Sequence, residues 1–167
     1  LARQYSITNM ELVKTFASYE SNYLSIIWRD GAMDLYDGGL RAIDAGGGTI
    51  FDHVPNAEYL DFSREGVRNW SYMKFPFIRS LGEERGWYRV GPLARVNTCD
   101  FIDTPEAEAA RKDFKALTNG RPNHMTMAFH WARMIEMLHS IEMIERLLHD
   151  PDLQGTDLVV SGERARE

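Results

Sequence analysis

Asn22-Tyr23-Leu24-Ser25-Ile26-Ile27-Trp28 is dense in aromatic and β-branched residues, a composition that predicts a strand. The chain that follows repeats the signal. Asp30-Gly31 is a turn, and Ala32-Met33-Asp34-Leu35-Tyr36 is a second candidate strand. Asp37-Gly38-Gly39 turns again into Leu40-Arg41-Ala42-Ile43-Asp44. Gly46-Gly47-Gly48 then leads into Thr49-Ile50-Phe51-Asp52-His53-Val54. Short strands separated by glycine turns predict an antiparallel meander over about 22–54.

Beyond Val54 the pattern changes. Pro55-Asn56 opens a predicted helix that runs from Ala57 to about Arg68, with a weak point at Gly66. Residues 69–103 show no clean period but hold Trp70, Tyr72, Phe75, Phe77, Trp87 and Tyr88, which predicts irregular backbone packed by aromatics. Thr104-Pro105-Glu106 starts a helix, with Thr104 as N-cap, proline at the first helical position and acids in the first turn. It runs to about Leu117 and stops at Asn119-Gly120. From about His124 to His149 there is no glycine or proline, and Ala128, Trp131, Ile135, Leu138, Ile141, Ile144 and Leu148 recur at spacings of three and four. That is a helix of roughly seven turns, closed by Asp150-Pro151. A shorter helix is expected around Met10, Val13, Phe16 and Ala17, entered from Asn9. The fold class is therefore α+β. A small antiparallel sheet lies near the N-terminal half, and an irregular aromatic-rich segment and helices follow, so that 55–167 is mainly helical.

The balance of 44% hydrophobic and 26% charged residues suits one folded unit across all 167 residues. A net charge of -6 without any Lys/Arg cluster argues against nucleic acid and against anionic membrane surfaces. No apolar run is long enough to span a bilayer. The ends, Leu1-Ala2-Arg3-Gln4-Tyr5 and the charged Ser161–Glu167, suggest cuts made inside a longer protein. Cys99 is the single cysteine, which fits a buried structural residue in a reducing compartment.

Candidate chemistry is sparse. Gly46-Gly47-Gly48 lacks the Lys-Ser/Thr of a phosphate loop and is expected to be a hairpin turn. Glu136-Met137-Leu138-His139 is half of the signature of a carboxylate-bridged metal site, since i and i+3 share a helical face. Such a site also needs a second Glu-x-x-His and two further glutamates on facing helices, and no second copy exists, which favours a solvated or hydrogen-bonded face. Glu142 lies a turn beyond. His130 and His139 are nine residues apart, on opposite sides of the helix, and cannot share a metal. His53 and His124 have no partner set. Arg89 and Arg95 flank Gly91-Pro92, either as an anion-binding turn or as a corner whose arginines pair with carboxylates.

Trp87-Tyr88-Arg89-Val90-Gly91-Pro92-Leu93-Ala94-Arg95-Val96-Asn97 resembles the central region of nickel–iron hydrogenase large subunits, particularly the bidirectional cytoplasmic group. Similar stretches are Trp70 through Phe77, Gly31 through Ala42, Thr104-Pro105 and Ala132 through Glu136. Tyr36 through Ala42 and Leu148 through Leu153 resemble the subunit that works with an NAD-reducing diaphorase. The resemblance implies a cytoplasmic enzyme that oxidises dihydrogen reversibly and passes electrons to NAD. It further implies a nickel–iron centre held by four cysteines as two Cys-x-x-Cys pairs, a small subunit with iron–sulfur clusters, and diaphorase subunits carrying flavin and NAD. Neither Cys-x-x-Cys pair is present here, so no catalytic, cofactor-binding or metal residue carries over, and Cys99 matches no ligand position. The chain is thus expected to be an inactive structural and interface segment that self-associates when isolated. The alternatives are a free-standing interaction domain without catalysis, or a carboxylate-bridged metal protein using Glu136 and His139.

Overall fold

The computed structural model describes residue 4, residues 7–156, residue 159 and residues 161–162. The termini that suggest cuts lie largely outside the described residues. Three of the four candidate strands form: β1 (Asn22–Ile27), β2 (Gly39–Ile43) and β3 (Thr49–Val54). They pair antiparallel, with Tyr23 opposite Ile43 and Leu40 opposite Val54. Asp44 closes the β2–β3 turn, because its side chain accepts the N–H groups of Gly46 and Gly48, both at 2.8 Å. Gly47 takes φ 93 there, a left-handed conformation that glycine adopts without penalty.

Ala32–Tyr36 is not a strand and makes only isolated bridges from Ala32 and Met33. Asp34 is the reason: its carboxylate accepts the N–H groups of Tyr36 at 2.6 Å and Asp37 at 2.8 Å, folding the segment into a turn. The sheet is completed by a strand from far along the chain. β6 (Tyr88–Arg89) runs parallel to β1, giving the order β3-β2-β1-β6. The sheet is therefore mixed, not purely antiparallel.

The expected helix over 57–68 is also corrected. A 3-10 turn (Asn56–Glu58) and one helical turn, α2 (Tyr59–Phe62), give way to β4 (Ser63–Arg68), which pairs with β5 (Ser71–Ile78) as a hairpin. Gly66, a weak point in a helix, sits well in this ribbon. A Cβ there would lie 2.6 Å from Glu83 Oε1 and 3.4 Å from the Phe75 carbonyl oxygen. Residues 69–103 are accordingly more ordered than expected. After β5 come α3 (Gly82–Arg85), β6 and α4 (Pro92–Thr98).

The remaining helices are α1 (Met10–Thr15), α5 (Pro105–Ala116) and α6 (Ala128–Leu148). The long helix starts four residues later than the apolar pattern suggests. Asn123 accepts the Met125 N–H at 3.0 Å, and Met125 bridges to Ser18, so 124–127 turn before the helix begins. Strand alternation sorts the core into two layers. Tyr23 and Ile27 face the helices and join Leu93, Val96, Phe114, Trp131 and Ile135. Leu24 points the other way, with Ala42 and Ile78. Phe114 and Trp131 meet edge-on at 5.4 Å, the favoured aromatic geometry, and fasten α5 to α6.

Candidate functional site

The polar residues singled out by sequence converge where α4, α5 and α6 pack together. Pro92 is pre-set for the first helical position, and Gly91, with φ 80, supplies the sharp entry to α4. Gly91-Pro92 is thus a helix start as well as a bend. One turn later Arg95 reaches α6 and grips Glu136 with two hydrogen bonds, Nε to Oε1 at 2.5 Å and Nη2 to Oε2 at 3.0 Å. Glu136 is 8% exposed, so this fork-on-fork pair satisfies a carboxylate that would be costly to bury alone.

Three residues further along α6, His139 is buried and shares a 3.0 Å hydrogen bond with the Thr104 hydroxyl. Burial holds its pKa below the ordinary histidine value, despite Asp103 and Glu142 nearby. Thr104 stands at the N-cap position of α5 but makes no side-chain cap. Glu142 performs that task from the neighbouring helix, accepting the N–H groups of Glu106 at 3.0 Å and Ala107 at 2.9 Å. Glu136, His139 and Glu142 therefore each have a specific structural partner, which displaces the carboxylate-bridged metal reading. Among the described residues no group of three or more His, Cys, Asp or Glu side chains is placed to hold a metal ion.

Of the two readings of the Arg89–Asn97 segment, the corner holds for Arg95. Arg89 differs. It donates to the His124 carbonyl at 2.9 Å and lies over the Tyr19 ring at 4.0 Å, a cation–π contact. His124 bridges the sheet to the approach of α6, with Nδ1 2.8 Å from Tyr23 Oη and Nε2 2.9 Å from the Ala45 carbonyl. His53 contacts the Arg29 carbonyl at 3.1 Å and the Asp52 carboxylate at 2.9 Å. His130 lies on the exposed side of α6, away from buried His139.

Two ion-pair groups built on buried arginines escaped the sequence reading, because their partners are distant or carry no motif. Arg41 of β2 bonds Asp52 at 2.9 and 3.0 Å, Asp100 at 2.9 Å and the Thr98 carbonyl at 3.0 Å. Arg111 of α5 bonds Glu108 at 2.7 and 3.1 Å. The spacing of Glu108 and Arg111, one helical turn, was the signal available for the second.

No protein-family model matches the chain. Over 151 residues, 89% of its length, it is 44% identical to the NAD-reducing hydrogenase HoxS subunit beta of Cupriavidus necator, of which it covers 30%. It is 39% identical over 149 residues to a subunit of the vhu F420-non-reducing hydrogenase of Methanococcus voltae, covering 35% of that protein. The crystal structure of an NAD+-reducing NiFe hydrogenase in the H2-reduced state superposes with a TM-score of 0.88 at 42% identity, over 98% of this chain and 36% of that one. The chain is a relative of hydrogenase subunits, and it spans 30% to 36% of the length of these proteins.

The described residues do not fit a nickel–iron centre. Such a centre needs deprotonated soft ligands. Cys99 is 4% exposed, and burial pushes its thiol up to about 11, so at neutral pH it is a protonated core residue.

Proposed function

We propose that residues 1–167 are the central segment of the large subunit of an NAD-reducing nickel–iron hydrogenase, a cytoplasmic enzyme that couples reversible dihydrogen oxidation to NAD reduction. The observation that carries this reading is the superposition over 98% of the chain at 42% identity with an NAD+-reducing NiFe hydrogenase. The 44% identity with the HoxS beta subunit supports the NAD-linked type. In the parent complex the metal ligands come from chain outside this segment. A small subunit carries iron–sulfur clusters, and diaphorase subunits carry flavin and NAD.

The segment's own task is positional. The Arg95–Glu136 pair, the Thr104–His139 bond and the Glu142 cap lock α4, α5 and α6 into one body. The rest of the subunit and its partners have that rigid body to pack on. The test is the coding sequence on either side, followed by expression of the full reading frame with its neighbouring genes. In-frame Cys-x-x-Cys pairs and hydrogen-dependent NAD reduction are the expected result. The 167-residue chain alone is expected to bind no stoichiometric nickel and to reduce no dye under hydrogen. A stop codon directly after Glu167, or nickel bound by the chain alone, overturns the reading.

A further inference from the structure

An open cavity of about 370 Å³ lies between the β2–β3 turn, the end of α4 and the loop that leaves α5. One carboxylate, Asp100, and four cations line it: Arg41, Arg111, Lys115 and Arg121. The fold accounts for two of them. The last carbonyls of a helix carry partial negative charge and lack intrahelical partners. Arg41 donates to the carbonyl of Thr98, the last residue of α4, and Arg111 donates to those of Cys99 and Asp100 just beyond it. Each is also neutralised, Arg41 by Asp52 and Asp100, Arg111 by Glu108.

Lys115 is different. Its ammonium donates to the Asn97 carbonyl at 3.3 Å, and among the described residues no carboxylate lies within ion-pair range of it. An ammonium has three donors, so at least one more partner is expected where the group is withdrawn from water. Burial, and then the charge of Arg111, hold Lys115 below the ordinary lysine pKa. A half-buried cation beside a second cation is a costly arrangement that an anion in the cavity would relieve. Arg121 adds further positive charge from the loop.

We infer that this cavity binds a small oxyanion, a carboxylate or phosphate group held by Lys115 and Arg121 with Arg111 behind them. A free oxyanion needs only the cavity, whereas a carboxylate from elsewhere in the chain rests on the proposed reading of residues 1–167 as a segment. The anion has two sources: a free ion in solution, or a carboxylate side chain from chain outside this segment. Full-length protein is titrated with inorganic phosphate and with acetate at fixed ionic strength in chloride, by calorimetry, and its Tm is measured in the same buffers. Saturable binding is expected, weakened at least about tenfold, or 1.4 kcal/mol, in Lys115→Gln and in Arg121→Gln; this result assigns a free oxyanion. If neither ion binds and the Tm falls in Arg121→Gln as well as in Lys115→Gln, which alone also loses a bond to the Asn97 carbonyl, a protein carboxylate already fills the site, which supports the same chemistry. Equal binding to wild type and both variants overturns the inference. So does absence of binding together with an unchanged or raised Tm in Arg121→Gln, the outcome for cations that face water alone.

Discussion

Between Ala128 and His139 the long helix buries Trp131, Ala132, Ile135, Glu136 and His139 against α4, α5 and the sheet. Between Ser140 and Leu148 the same helix leaves Ile141, Ile144 and Leu148 60%, 57% and 57% exposed. Nothing in the local sequence separates these halves. Both carry apolar residues at spacings of three and four, and neither contains glycine or proline. The difference lies in the neighbours: α5 begins at Pro105, beside Glu142, and runs back along the first part, while the second extends past the packed body. Apolar periodicity therefore reports a face that needs a partner. Whether this stretch of chain supplies the partner is a separate question, decided by elements that sit elsewhere in sequence.

The two halves are told apart by truncating one large apolar side chain in each. Trp131 packs edge-on against Phe114 and is 4% exposed. Trp131→Ala should lose about 3–5 kcal/mol, the cost of removing a large buried side chain and leaving a cavity. Ile144→Ala should lose well under about 1 kcal/mol, because the side chain is already in water. Urea denaturation of both variants measures the ratio. Equal losses would mean that the two halves are equally supported and that the comparison fails.

A second test of the first half targets its polar anchor. Glu136→Ala leaves the Arg95 guanidinium facing a protein interior without its carboxylate. Removing one partner of a buried pair costs about 3–5 kcal/mol. Arg95 keeps 26% of its side-chain surface exposed, so water relieves part of the penalty, and about 2–3 kcal/mol is expected. The double variant Arg95→Met, Glu136→Leu should recover much of it, since two apolar groups replace two charges. Failure of the double variant to recover would show that the pair does more than satisfy itself.

These anchors show what sequence can and cannot carry. The three strands of the meander, α5 and the long helix were legible because apolar period, turn residues and Pro105 act locally. The Ser63–Arg68 strand was not. Ser63-Arg64-Glu65-Gly66-Val67-Arg68 has no alternating apolar face, and only pairing with β5 makes it a strand. β6 was hidden for the same reason, since two residues become a strand by lying beside β1. At the helix junction, Glu136 and His139 stood out as a motif, but their partners Arg95 and Thr104 lie 41 and 35 residues away. The alternative of a corner whose arginines meet carboxylates was readable from Arg95, while the identity of the carboxylate was not. Glu142 as a cap on a different helix has no sequence signature at all.

Titration of His139 sharpens the comparison at the boundary between the halves. Its folded pKa is depressed below the unfolded value of about 6.5, with burial as the first cause. The unfolded chain therefore binds the proton more readily than the folded one. The contribution of this group to stability is full above about pH 6.5 and is lost as the pH falls towards the folded pKa. The slope cannot exceed about 1.4 kcal/mol per pH unit for one proton. Denaturation midpoints of wild type should fall between pH 7 and pH 5.5 more steeply than those of His139→Gln. Parallel pH profiles would show that His139 is not held neutral by its surroundings.

The exposed half should respond least in stability and most visibly in association. Ile141, Ile144 and Leu148 lie on α6 with Met134 and Met137, which are 45% and 52% exposed. Apolar surface left in water costs about 25 cal/mol per Å², so a patch of a few hundred Å² is worth several kcal/mol to any partner that covers it. In the parent subunit proposed above, the remaining chain is expected to be that partner. In the isolated 167-residue chain the simplest substitute is a second copy, joined through the same face by a two-fold axis. Light scattering at micromolar concentration is expected to show a dimer that dissociates on dilution. Replacing Ile141 and Ile144 by serine should abolish it while changing the unfolding free energy of the monomer by no more than about 0.5 kcal/mol. A monomer of 19.2 kDa at every concentration would mean that the exposed stripe is too narrow to bind its own copy. A dimer that survives both serines would place the contact elsewhere, most plainly on the β4–β5 hairpin, where Val67, Trp70 and Tyr72 are 65%, 73% and 98% exposed.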